Sequence, residues 1–148
     1  MYIALQVFIG WVYGHAAEYF IHKYVLHNNK MFKKIFKRHF GTHHRIARKN
    51  KMYDENYLSL SKKNSVFEIL GLSLLLLSHL PLLFIIPYFW ITLLYSAFAY
   101  YYIHRRSHID VSWGRKWLPW HYSHHMENDQ NKNWGVRLPI FDMILSNN

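Results

Sequence analysis

Residues 66–103 read VFEILGLSLLLLSHLPLLFIIPYFWITLLYSAFAYYYI, a run without a single Lys or Arg. As one continuous helix these 38 residues would reach about 57 Å, nearly twice the roughly 30 Å hydrocarbon core of a bilayer. Two arms fit better. Pro81 and Pro87 fall in or beside the turn between them, because proline disfavours an uninterrupted helix. Each arm is then somewhat short for a full crossing, which predicts a thin or partly buried hairpin.

Upstream, residues 2–21 (YIALQVFIGWVYGHAAEYFI) form another oily segment, just long enough for the roughly 20 residues a span requires. A signal peptide would need a positive leading region and a small-residue cleavage site, and neither is present. Of the 18 Lys and Arg, twelve lie in 23–63 and six in 105–137. They flank the oily stretches as cytoplasmic loops flank membrane spans. The net charge of +10 alone would also fit a nucleic-acid binder, but such a domain spreads basic residues over every surface helix. The expected fold is all-α, a single domain over 1–148. About three membrane-embedded helices carry a cytoplasmic helical cap. The N-terminus is placed outside, span one enters the cytoplasm near residue 22, and the hairpin leaves and returns. The chain is thus expected to be a multi-pass protein of a bacterial inner membrane or the endoplasmic reticulum.

Between the oily segments, Met31, Phe32, Ile35, Phe36 and Phe40 recur at helical spacing opposite Lys30, Lys33, Lys34, Lys37 and Arg38. That pattern predicts a basic amphipathic helix, suited to an anionic bilayer surface and, second, to an acidic electron-transfer partner. Trp113, Trp117 and Trp120 read as interfacial anchors.

Twelve histidines are dispersed from His15 to His125, and cysteine is absent, so thiolate ligation is excluded. Ten fall into four boxes: His22-x4-His27, His39-x3-His43-His44, His104-x3-His108 and His121-x2-His124-His125. Pairs at i, i+3 and i, i+4 share a helix face, so three boxes each offer two or more imidazoles to one ion. His22 and His27 are offset by about 140° on a helix of 3.6 residues per turn. That pair is expected to straddle a helix end or to reach two different metals. The topology gathers all ten at one membrane face, about five for each of two metals, with a position left open for O2. Imidazole suits Zn, Cu, Fe and Ni alike. Oxidising an unactivated C–H bond with O2 requires a redox-active metal, and two irons can share the electrons of O–O cleavage.

With these boxes the sequence resembles the fatty acid hydroxylase/sterol desaturase superfamily of integral-membrane di-iron enzymes. Residues 18–27, EYFIHKYVLH, are similar to the family's EYxxHRxxxH pattern. His104–His108 matches its HxxxH box, His121–His125 its HxxHH box, and residues 133–142, NWGVRLPIFD, its NxGV…PLWD ending. The second box, HxxxHH, has one residue more than the family's HxxHH. A single span replaces the usual hairpin before the first box. The resemblance implies an O2-dependent di-iron hydroxylase or desaturase acting on a fatty acyl, sphingolipid or sterol C–H bond. It also implies an electron donor like cytochrome b5 or a ferredoxin, and a substrate that enters from the bilayer. Zinc is a further occupant that such a site can carry on purification. A carotenoid hydroxylase of the same superfamily is the near alternative; a non-catalytic membrane metal-binding protein is the alternative from another class.

Outside the boxes, Glu18 stands four residues before His22 and is expected either to accept its second ring N–H or to be a plain helix-end carboxylate near Lys23. Asn133 and Asp142 are weaker candidates for supporting the ligands, or they shape the final turn. His15 is set aside as a structural histidine bonded to Glu18, and His79 as a polar residue on the far side of the hairpin.

Overall fold

The computed structural model describes residues 2–145, whose regular elements are all helical. Helix α1 (Ile3–Ile21) runs directly into a π-helical turn, His22–Leu26. Helix α2 (Lys33–Arg38), a second π turn (His39–His44) and α3 (Arg45–Lys49) follow as one continuous rod. A 3-10 turn (Glu55–Tyr57) leads into α4 (Lys63–Ser78), α5 (Leu82–Ile85) and the long α6 (Pro87–Ile109). Two short helices, α7 (Val111–Trp117) and α8 (Pro119–Met126), precede an irregular, bent segment and α9 (Ile140–Leu145).

The hairpin forms where the prolines place it. Pro81 caps α5, and Pro87 opens α6, where its missing N–H removes no helical bond. Helix α6 is the axis of the molecule: α1 and α4 both pack on it but barely touch one another. Its contact with α1 is close because Gly10 and Gly14 face it. A Cβ at Gly10 would lie 3.0 Å from the Phe89 carbonyl oxygen, and one at Gly14 2.6 Å from Ser96 Oγ. Small residues four apart let two helical backbones approach in this way.

Among the described residues, no helix is long and apolar enough to cross a membrane. The expectation of about three spanning helices is corrected to that extent, and the reason is local. Helix α4 has only 16 residues. Helix α1 carries Gln6, His15 and Glu18, and α6 ends in Arg105, Arg106 and two box histidines. These polar groups are mostly inward. Ten histidines are buried, whereas Phe8, Leu74, Phe84 and Phe98 are each more than 60% exposed. The rod after the first π turn is shorter than the sequence pattern, since α2 begins at Lys33 and Met31 lies exposed in the turn. Trp120 is half-buried and donates its indole N–H to the Val136 carbonyl, docking the C-terminal segment.

Candidate metal centre

Helix α6 delivers His104 and His108 from successive turns of one face, and α8, opened by Pro119, delivers His121, His124 and His125. The other two boxes sit on the π turns. The His27 N–H donates to the His22 carbonyl five residues back, at 3.2 Å. A turn closed over five residues returns the fifth side chain to nearly the face of the first. His22 and His27 therefore face the same way, with ring centres 5.0 Å apart, and the pair straddles the helix end as expected, His22 closing α1 and His27 closing the π turn. The same winding accommodates the extra residue of the second box. His39 lies 5.4 Å from His43 and 4.9 Å from His44, ring centre to ring centre.

Two clusters result. His22, His27, His44 and His124 form one, and His43, His104, His108 and His125 the other; within each, one ligand atom per residue lies within 4.8 Å of the rest. His39 and His121 fall outside both sets but flank them. His39 Nε2 is 3.1 Å from His22 Nε2 and 3.3 Å from His44 Nε2, and His121 Nε2 is 3.4 Å from His108 Nε2. The clusters abut through His44 and His125, whose ring centres are 4.1 Å apart.

Five rings are aimed by what their Nδ1 touches. Carbonyl oxygens only accept, so His22, His108 and His124 must donate Nδ1–H to Trp134 (2.7 Å), Met52 (2.8 Å) and Lys132 (2.7 Å). His43 donates to Asp54 (3.1 Å) and His104 to Glu68 (2.9 Å). Each Nε2 then keeps its lone pair for the cluster, the arrangement typical of metal-ligating histidine. Buried Nε2 atoms of His27, His43, His124 and His125 find no protein hydrogen-bond partner, as a nitrogen reserved for an ion would not. Burial also disfavours the charged form: His27 is pushed down to about 2 and His124 to about 3, by desolvation first and neighbouring imidazoles next. His39, His44, His121 and His125 are held well below the usual range for the same reasons. Neutral imidazoles with free, converging lone pairs fit two metal ions.

The model of one family, described as fatty acid hydroxylase, matches residues 7–147. The chain belongs to the fatty acid hydroxylase family. Searches of curated proteins and of solved structures found no match. Membership in the fatty acid hydroxylase family implies oxidoreductase chemistry in general, in a family typically metal-dependent and membrane-associated.

The supporting residues expected from the sequence do not contact the ligating histidines directly, and Asn133 and Asp142 take the other expected part, shaping the final turn. Glu18 does not meet His22. Its buried carboxylate accepts from the backbone N–H groups of Val136 and Arg137 and from Arg137 Nε at 2.6 Å. A guanidinium partner matches a buried carboxylate better than a neutral imidazole does. Asp142 also touches no histidine; it accepts the N–H groups of Trp134 (2.7 Å) and Gly135 (2.8 Å). Asn133 reaches Ser123 and adopts a left-handed backbone, φ 60°. Glu18, Asn133 and Asp142 thus shape the 132–137 segment that presents two carbonyls to His22 and His124. His15 packs edge-on against Trp11, without a bond to Glu18. His79 accepts or donates at Tyr13 Oη (2.7 Å) beyond the end of α4, away from both clusters.

The principal residues the sequence reading missed are Asp54, Tyr57 and Glu68. Asp54 is fully buried and also takes hydrogen bonds from Asn56 and Asn64. Burial alone would raise its carboxyl, but the bonds from His43 and Asn56 hold it well below the usual carboxylate range. Tyr57 donates to Glu68 (2.7 Å) and stacks on His108. Glu68 carried a readable signal, a lone carboxylate in an apolar helix; Asp54 carried none.

Above the clusters lies a cavity of about 560 Å³ between α1, α4 and α6. Ala17, Ile21, Leu72, Leu75, Leu93 and Ala97 are among its walls, and its inner end is formed by His22, His39, His43 and His104. It therefore meets both clusters.

Proposed function

We propose that this protein is a membrane-embedded, O2-dependent di-iron enzyme that hydroxylates or desaturates a lipid chain, fatty acyl, sphingolipid or sterol. The observation that carries the reading is the apolar cavity ending on histidines of both clusters. A cavity of this size and lining suits a hydrocarbon ligand. Its place in the gap between α1 and α4 offers a path for a lipid entering sideways. The eight clustered histidines would hold the ions, with His39 and His121 as the fifth imidazole of each site. Bound iron would supply the activation of O2 against an unactivated C–H bond. The chain's own residues do the rest: the Nδ1 partners fix ring orientation, and the apolar walls align the substrate carbon and exclude water.

Exposed Phe8, Leu74, Phe84, Ile85 and Phe98 support the membrane setting, since so many large apolar side chains are rarely left facing water on a chain this small. Polar residues dilute the hydropathy of each helix, but they face inward. In this reading the histidine end is cytoplasmic, and exposed Lys30, Lys33, Lys34 and Lys37 receive an acidic electron donor similar to cytochrome b5 or a ferredoxin.

The test is direct. Protein purified in detergent is assayed for bound metal, and lipids of expressing cells are analysed for a gain of one oxygen atom or a loss of two hydrogens. Iron with modified lipid is expected, and His124→Ala should lower product at least about a hundredfold. Stoichiometric zinc with unchanged lipids would refute the proposal.

A further inference from the structure

The two clusters contain the same number of imidazoles but differ in what stands behind them. In the cluster of His22, His27, His44 and His124, the ring nitrogens bonded outward meet neutral backbone carbonyls, those of Trp134 and Lys132. In the cluster of His43, His104, His108 and His125, two of the rings are backed by carboxylates, Asp54 and Glu68. Glu68 contacts His104 with both oxygens, at 2.9 and 3.0 Å.

Those two carboxylates are side chains without a cation. Asp54 is 0% exposed and the Glu68 side chain 11%. Among the described residues neither has a Lys or Arg within salt-bridge distance, whereas the buried carboxylate of Glu18 has Arg137. Hydrogen bonds from Asn56 and Asn64 hold Asp54, and one from Tyr57 holds Glu68, but none of these donors is a cation; a divalent ion held by the intervening imidazoles supplies the positive charge that both carboxylates lack. A carboxylate behind an imidazole also makes it a stronger donor.

Building on the proposed metal centre, we infer that its two sites are unequal. The site of His43, His104, His108 and His125 fills first and holds its ion more tightly, with Asp54 and Glu68 as positioning residues. The other site, backed only by carbonyls, exchanges its ion more readily.

The full-length protein, purified in detergent and stripped with a chelator, is titrated with Co2+ while visible absorption and calorimetry follow binding. Two steps are expected, the first tighter by at least about tenfold. His27→Ala removes a half-buried ligand of the carbonyl-backed site and should abolish only the weaker step. Asp54→Asn and Glu68→Gln keep the side-chain shape and remove the charge. Each should weaken the tighter step about ten- to a hundredfold and leave the weaker one in place. That retained step reports that the variant is folded. Equal affinities, or carboxamide variants that weaken the other step, would overturn the inference and leave the metal centre standing. Failure to bind any Co2+ would overturn both.

Discussion

Asp142 touches no imidazole, yet two N–H groups converge on it from Trp134 and Gly135. The turn so fixed presents the Trp134 carbonyl to His22 and the Lys132 carbonyl to His124. Gly135 is required there, since a Cβ would collide with the Leu138 carbonyl oxygen. Asp142→Ala would leave two buried donors unsatisfied and should destabilise the protein by roughly 2–4 kcal/mol, read by denaturation in detergent. It should also weaken Co2+ binding at the carbonyl-backed site before the other. At this scale the histidines were legible, because spacing and lack of cysteine left few alternatives. Their supports were not: His43 meets Asp54 and His104 meets Glu68 across 11 and 36 residues, and only the fold closes those distances.

At the level of the helix, a regular period of 3.6 residues sets His22 and His27 about 140° apart, and the π turn brings them to one face. A spacing of five between His22 and His27, and again between His39 and His44, is the trace of a π turn, which recurs at functional sites. The Gly10–Gly14 spacing went unread in the sequence, because nothing there identifies its partner face on α6. Helix packing makes a sharper demand at Gly114 of α7, where a Cβ would lie 2.7 Å from the Ser107 carbonyl oxygen and 3.0 Å from its Cα. Neither backbone atom can swing aside. Gly114→Ala should therefore cost about 1–3 kcal/mol and shift α7 away from α6, disturbing α8 with its three histidines. Gly71→Ala is the contrast: nothing lies within 4 Å of its Cβ, and replacing a mid-helix glycine stabilises by up to about 1 kcal/mol. Thermal melting of the two variants side by side should show opposite signs.

The molecule as a whole is arranged with its histidines inside. Ten buried histidines occupy the place that leucine and valine fill in most small proteins, and many of its large apolar side chains face outward. The oily segments and the prolines of the hairpin were enough to predict an all-helical chain with a break between α4 and α6. The span count was not secure, because hydropathy averaged along a helix cannot separate an inward polar face from an outward apolar one. This interior has a consequence for acid stability. In the folded chain His27 titrates at about 2 and His124 at about 3, both against an ordinary value of 6.5. Between those limits the unfolded chain binds more protons than the folded one, so falling pH favours unfolding. Stability is full above about pH 6.5 and drains continuously below it. The metal-stripped protein should show a melting temperature that is nearly level from pH 7.5 to about 6.5 and then declines steadily to pH 5 at fixed ionic strength. Bound metal keeps its ligands deprotonated and competes with the incoming protons, so the loaded protein should hold its melting temperature to lower pH and then lose metal and fold together. A stripped protein whose melting temperature stays flat from pH 6.5 to 5 would mean that its imidazoles are hydrated and already free to take up protons.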